Sequence, residues 1–277
     1  MIKKKKNQEF FYKKHFGQNF LIDQKIIKKI INFINPKKKE LFLEIGPGHG
    51  ALTFPMCRIL DKLFVIDIDD EVLFFLRKGN FFDKIHFFLQ DILYFDYMNF
   101  YLENNKNKIR FFGNLPYNIS NKILFSLIKH LKIIKDMHFM FQKEVAERII
   151  SLPNTKKYGR LSIIIQYFFY VQKLVNVPSQ SFFPVPSVDS VFLKFLPHKL
   201  FPEMFFDFHV FSNITKIAFN RRRKTIKNNF KNLFSCDVLL KFNIDPSCRP
   251  ENISLKKYCQ LTDYFISQNS ILVSRKK

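Results

Sequence analysis

The chain has 277 residues, 47% of them hydrophobic, and a formal net charge of +23 from 46 Lys and Arg against 23 Asp and Glu. That length accommodates one large or two unequal domains with a substantial core, and so basic a balance points to a polyanionic partner. Four cysteines without a Cys-x-x-Cys pair argue against a disulfide framework or cysteine metal site and fit reduced cytosolic thiols, and the seven scattered His suggest no metal. No 18-residue apolar span occurs and no signal-type stretch follows Lys3–Lys6, so no membrane partner is expected.

Positive charge gathers at the ends. Residues 1–16 carry six Lys against Glu9, and residues 198–277 carry 15 basic and six acidic residues. Residues 1–22 therefore read as a basic arm. From there, short apolar runs alternate with helical spacing. The expected helices are Asp23–Ile34 (capped by Asp23), Ala51–Leu60, Glu71–Lys78 and Ile119–Leu131 (capped by Ser120). The expected buried strands are Leu41–Gly46, Lys62–Asp69, Ile85–Asp91, Ile109–Leu115 and His138–Gln142. This alternation predicts an α/β fold, a Rossmann-like doubly wound parallel sheet, over residues 23–197. Tyr167–Val177 and Val188–Leu196 read as a closing antiparallel hairpin. Beyond a Pro197–Pro202 linker, Phe205–Asn220, Lys224–Leu233, Val238–Phe242 and Leu255–Ser267 predict a small all-α domain over 203–269, with a mobile tail at 270–277.

Three strand ends carry the chemistry. Glu44-Ile45-Gly46-Pro47-Gly48-His49-Gly50 follows the first strand, and its glycines let backbone N–H groups approach a ligand at a helix start. Asp67 ends the next strand, where a carboxylate can accept ribose hydroxyls; a dinucleotide would satisfy this much equally well. Asp91 ends the third, placed either to accept from an adenine amino group or to cap a helix. Gly113-Asn114-Leu115-Pro116-Tyr117 ends the fourth. Its Asn114 side-chain oxygen and Leu115 carbonyl, turned out of the ladder by Pro116, can each accept one hydrogen of a planar amine such as adenine N6, and Tyr117 can stack on the ring. Together these ends favour S-adenosylmethionine as cofactor and methyl transfer as reaction.

Lys14–Leu21, Glu44–Gly48, Gly113–Ser120, Phe141–Val145, Tyr158–Ser162 and Ala218–Ile226 resemble, in order, the blocks of the bacterial small-subunit ribosomal RNA adenine dimethyltransferases. The resemblance runs from about residue 10 to residue 267 and implies a class I methyltransferase sheet. It implies dimethylation of N6 on two adjacent adenosines in the 3′-terminal hairpin of 16S rRNA, four methyl groups in all, within an assembling small subunit in the cytoplasm. The enzyme is expected to be monomeric. The implied cofactor contacts are Asn19, Leu21, Gly46, Gly48, Asp67, Asp91 and Asn114. It also turns Arg221, Arg222, Arg223, Lys224 and Lys227 from a solvated charge run into an RNA-binding candidate, with Lys224 and Lys227 on one helix face. Phe182 is the candidate for stacking on the far side of the target base. The chain departs from the family pattern at Asp67 (usually Glu), at Ser187 (commonly Lys) and in the Arg221–Arg223 run, where a Gln is expected. Two alternatives stand beside this reading: a large-subunit rRNA dimethyltransferase, and an RNA-binding assembly factor or transcription factor on this fold with methylation lost or incidental.

Overall fold

A computed structural model describes residues 19–198 and 208–274, with side chains as far as Gln268. Most of the arm and the Lys14–Gln18 part of the first family block lie outside the described residues, as do Lys199–Pro202 of the linker, the start of the helix expected from Phe205, and residues 275–277 of the tail. The elements in chain order are β1 (Phe20–Leu21), α1 (Gln24–Ile34), β2 (Phe42–Ile45), α2 (Thr53–Cys57), β3 (Leu63–Asp67), α3 (Glu71–Arg77), β4 (Ile85–Leu89), α4 (Tyr97–Glu103), β5 (Ile109–Gly113) and α5 (Ser120–Ile128). They continue as β6 (Ile134–Gln142), α6 (Lys143–Ile149), α7 (Arg160–Phe168), β7 (Phe169–Val177), β8 (Phe182–Phe183), β9 (Ser190–Pro197), α8 (Phe208–Asn220), α9 (Ile226–Asn229), α10 (Cys236–Lys241) and α11 (Leu255–Ser274).

The expected parallel sheet is present, in the order β4-β3-β2-β5-β6-β9-β7. The pairs β2–β3, β3–β4, β2–β5 and β5–β6 are all parallel. From β2 the chain steps outward to β3 and β4, then returns to pair β5 with the other side of β2. That reversal is a topological switch point, where α/β sheets leave a crevice beyond their carboxyl ends. The Glu44↔Phe112 register sets the glycine loop after β2 beside the motif after β5. Their approach requires Gly113, since a Cβ there would stand 2.2 Å from the Ile45 carbonyl oxygen.

Local chemistry explains where expectation and structure agree. Helix α1 buries Ile26, Ile27, Ile30, Ile31 and Ile34 on one stripe, and Asp23 caps it by accepting from the Lys25 and Ile26 amides at 2.9 and 3.2 Å. At the sheet's other end the buried Arg110 guanidinium satisfies its donors on Asp136 at 2.8 and 2.9 Å and on Glu40 at 2.7 Å. A buried charge is tolerated only when paired in this way.

Several boundaries need correction. Helix α2 is only Thr53–Cys57: Pro55 has no N–H for the Ala51 carbonyl, which delays the start, and the Ile59 amide turns to the Met56 carbonyl just past the end. Ser120 lies inside α5 rather than capping it, and its hydroxyl donates to the Tyr117 carbonyl. Tyr167 and Phe168 end α7 instead of opening β7; α7 is rich in β-branched and aromatic residues, which obscured it. Strand β8, paired antiparallel with β1, was not expected.

Contacts divide the described chain into two compact units, 19–142 with 174–192 and 143–173 with 193–198 and 208–274. Strands β7 and β9 therefore contribute to both, and the division does not fall at the expected linker. The second unit is helical apart from those strand segments, with Phe211, Ile214, Ile226, Leu239, Tyr258 and Leu261 in its core. Its Arg222 guanidinium pairs with Glu251 at 2.7 Å and donates to the carbonyls of Tyr158 and Lys156.

Candidate active site

Beyond the carboxyl ends of β2, β3, β4 and β5 lies a cavity of about 370 Å³ within the first unit. Gly46, Gly48, Asp67, Asp91, Asn114, Leu115, Pro116 and Tyr117 all line it, and so do Asn19 and Leu21 from the segment containing β1. Residues far apart in sequence and expected to share one site are thus brought together. Gly46 has φ +70°, a left-handed backbone that favours glycine, and its amide donates to the Ile66 carbonyl at 3.0 Å. An ideal Cβ on Gly46 would lie 3.8 Å from the Asn114 carbonyl oxygen, so the glycine loop and the acceptor motif are in contact.

Each residue of Asn114–Tyr117 is fixed. The Asn114 amide nitrogen donates to the Asn19 carbonyl at 2.8 Å. The Leu115 side chain is buried, and the Pro116 carbonyl accepts the Ile119 and Ser120 amides that start α5. The Tyr117 hydroxyl lies 2.6 Å from Ser190 Oγ, and burial raises its pKa. Against this rigidity, Asn114 Oδ1 is buried without a hydrogen-bond partner, and the Leu115 carbonyl accepts none among the described residues. An unmet buried acceptor costs about 1–3 kcal/mol, which a ligand's N–H can recover. The two atoms expected to hold an exocyclic amine are both without a hydrogen-bond donor among the described residues. Ser190 was missed from sequence; the only signal was its place in the Pro-rich block that starts at Phe182.

The cavity's charge selects its cofactor. Among the described residues its lining includes the carboxyls Glu44, Asp67 and Asp91 and no Lys or Arg. His49, also in the lining, is stacked on Phe20 at 3.8 Å and pushed toward its neutral form by burial. Acidic groups at Asp67 and Asp91 suit a cofactor with ribose hydroxyls, an adenine amine and a positive charge, which is the composition of S-adenosylmethionine. Asp91 both caps and lines: its Oδ1 accepts the Leu93 amide at 2.9 Å, while Oδ2 makes no hydrogen bond among the described residues. Asp67 Oδ1 accepts the Asp69 amide at 3.0 Å, and burial raises the carboxyl to about 6.

Glu44 was quoted in the glycine-loop motif without a role. It is buried, accepts the Thr53 hydroxyl at 2.7 Å, and is raised from 4.5 to about 8 by desolvation, with a smaller push from Asp67. The unfolded carboxyl ionises near 4.5 and the folded one near 8, so the folded chain binds the extra proton between those values. Its stabilising contribution is complete below that window and lost as pH rises through it. Glu44→Gln is therefore expected to raise the melting temperature relative to the parent more at pH 8.5 than at pH 5.5. Thermal melts of both proteins at the two pH values check this, and an equal difference refutes it.

One site residue is misplaced in the sequence reading. Phe182 is fully buried, set in the core opposite Leu21 in the β1–β8 pair, and does not line the cavity. Phe183 takes the alternate face, as successive strand residues do, and is 47% exposed. Arg222 is likewise committed to Glu251 and two carbonyls, whereas Arg221, Arg223 and Lys224 are exposed without side-chain partners among the described residues. Those residues occupy the turn before α9, so Lys224 and Lys227 do not share a helix.

The family model for "Ribosomal RNA adenine dimethylase" matches residues 9–267. A Buchnera aphidicola (subsp. Schizaphis graminum) protein named Ribosomal RNA small subunit methyltransferase A is 50% identical over 272 residues, covering 98% of each chain. An Escherichia coli (strain UMN026) protein of the same name is 43% identical over 266 residues, covering 96% of this chain and 97% of its own. The solved dimethyladenosine transferase from Plasmodium falciparum superposes with a TM-score of 0.77 at 27% identity, covering 90% of this chain and 98% of that one. With its glycine loop, acidic cavity and unmet acceptor pair, the chain belongs to the ribosomal RNA adenine dimethylase family.

Proposed function

We propose that this S-adenosylmethionine-dependent rRNA adenine dimethyltransferase places four methyl groups on N6 of two adjacent adenosines in the 3′-terminal hairpin of 16S rRNA, in an assembling small subunit in the cytoplasm. The unmet pair formed by Asn114 Oδ1 and the Leu115 carbonyl carries this reading. The relatives' shared name supports the small subunit.

In this reading the target adenine leaves its stack, at a cost of a few kcal/mol that is smaller in a loop. Tyr117 takes one face of the base, held by Ser190, and returns about 1–3 kcal/mol by stacking. Asn114 Oδ1 and the Leu115 carbonyl accept the two N6 hydrogens and turn the nitrogen lone pair out of conjugation. Gly46, Gly48, Asp67, Asp91, Asn19 and Leu21 hold the cofactor. When bound, the cofactor would supply an electrophilic methyl to that lone pair and would leave as the neutral thioether, and the N6 proton would pass to water. Positioning within the cavity suffices, and no general base is required. Incubation with labelled cofactor and under-methylated small subunits, followed by mapping of the labelled nucleotides, tests the assignment. Two labelled adenosines in the small-subunit hairpin are expected; label in large-subunit RNA, or none, overturns it.

The turn Arg221, Arg223 and Lys224, with Lys227 beyond it, is assigned to phosphate contacts. Arg222 is assigned to holding that turn against residues 156–158. Arg223→Ala with Lys224→Ala is expected to weaken RNA binding and to flatten the plot of log affinity against log salt by about 1–2. Binding titrations between 50 and 200 mM salt check this, and an unchanged slope removes both residues from the interface.

A further inference from the structure

A carboxamide has a donor end and an acceptor end of nearly equal size, and only one orientation of Asn114 is useful. With the oxygen toward the target, it accepts an N6 hydrogen. Rotated by half a turn, it presents two more N–H groups to an amine and can accept nothing. What selects the orientation is the Asn19 carbonyl, 2.8 Å from Asn114 Nδ2. In the rotated amide two oxygens would face each other at that distance.

Asn19 is placed by β1. Phe20 and Leu21 pair with Phe183 and Phe182, the Ile22 amide donates to the Ser181 carbonyl at 2.8 Å, and the Phe20 ring stacks on His49 at 3.8 Å with an 11° interplanar angle. His49 also packs on Phe75 of α3, ring centres 4.0 Å apart. A stack of three rings therefore fixes the strand whose preceding carbonyl fixes the acceptor amide. We propose that the Asn19 backbone carbonyl is the positioning group for Asn114, so that the site can grip an amine only while β1 is seated on the glycine loop. The inference rests on the reading of Asn114 as the N6-binding group, and makes closure of the cofactor cavity and competence of the acceptor site a single event.

A backbone carbonyl cannot be deleted, so the test changes its partner. In Asn114→Asp the ionised carboxylate has no donor for Asn19 and repels it, while the protonated acid restores both a donor and an acceptor. Turnover of Asn114→Asp relative to wild type, measured at matched pH on under-methylated subunits, is expected to rise at least fivefold from pH 8 to pH 5.5. The same ratio for Asn114→Ala is expected to stay flat. If Asn114→Ala is inactive and the Asp ratio is flat or falls with decreasing pH, the positioning role fails while the acceptor reading stands. If both variants keep wild-type turnover, the acceptor reading itself fails. Independently of activity, the Asn114 side-chain NH2 of the ¹⁵N-labelled protein without cofactor, assigned by its absence in Asn114→Asp, is expected to exchange slowly with solvent. Phe20→Ala, which removes the stack on His49, is expected to speed that exchange at least tenfold. Unchanged exchange in a folded Phe20→Ala protein overturns the link between β1 and the amide.

Discussion

Asn114→Ala is expected to lower kcat by about 100- to 1,000-fold, the cost of deleting one preorganised polar group that acts on the reacting centre. RNA affinity is expected to change less than twofold, because phosphate contacts dominate the binding of nucleic acids. The substitution removes one of the two unmet acceptors and leaves the Leu115 carbonyl in place. It also frees the Asn19 carbonyl, but in a cavity that water can enter, so the loss of stability is modest. Single-turnover kinetics with saturating subunits separates the two effects. A kcat within tenfold of wild type would show that the amide does not activate the amine.

Phe182→Ala is expected to destabilise the fold by about 3–5 kcal/mol, the range for truncating a buried aromatic. The ring is fully buried and packs in the cluster that includes Leu21, Ile27, Phe112 and Phe192. Loss of Phe182 should also loosen β8 from β1, and through it the placement of Asn19. Had the ring stacked on the target base, its removal would cost RNA binding or turnover and leave stability intact. Denaturant unfolding decides between these: a shift below about 1 kcal/mol, together with weakened substrate binding, would return Phe182 to the RNA interface. The exposed Phe183 supplies the contrast, since Phe183→Ala removes a ring that is already half in solvent.

The sequence by itself determined the sheet and most of the site. Apolar runs of four or five residues, each followed by a turn, can form buried parallel strands, and their ends gather wherever the strand order reverses. Gly46, Asp67, Asp91 and Asn114 were legible because each lies at a strand's end or within two residues beyond it, and strand ends are set by local pattern. The N-cap at Asp23 was legible for the same reason. Pairings between distant segments were not. Nothing local distinguishes Phe182 from Phe183, because a two-residue strand shows no alternation until its partner fixes which face is buried. Arg221, Arg222 and Arg223 are equivalent in sequence, and only the positions of Glu251 and residues 156–158 separate the one that is paired from the two left exposed. Tertiary structure alone set Ser190 against Tyr117 and the Asn19 carbonyl against Asn114, contacts spanning 73 and 95 residues of chain. Composition and spacing thus named the atoms proposed to bind an amine, while the orientation of the Asn114 amide is set by a backbone group that arrives from elsewhere in the fold.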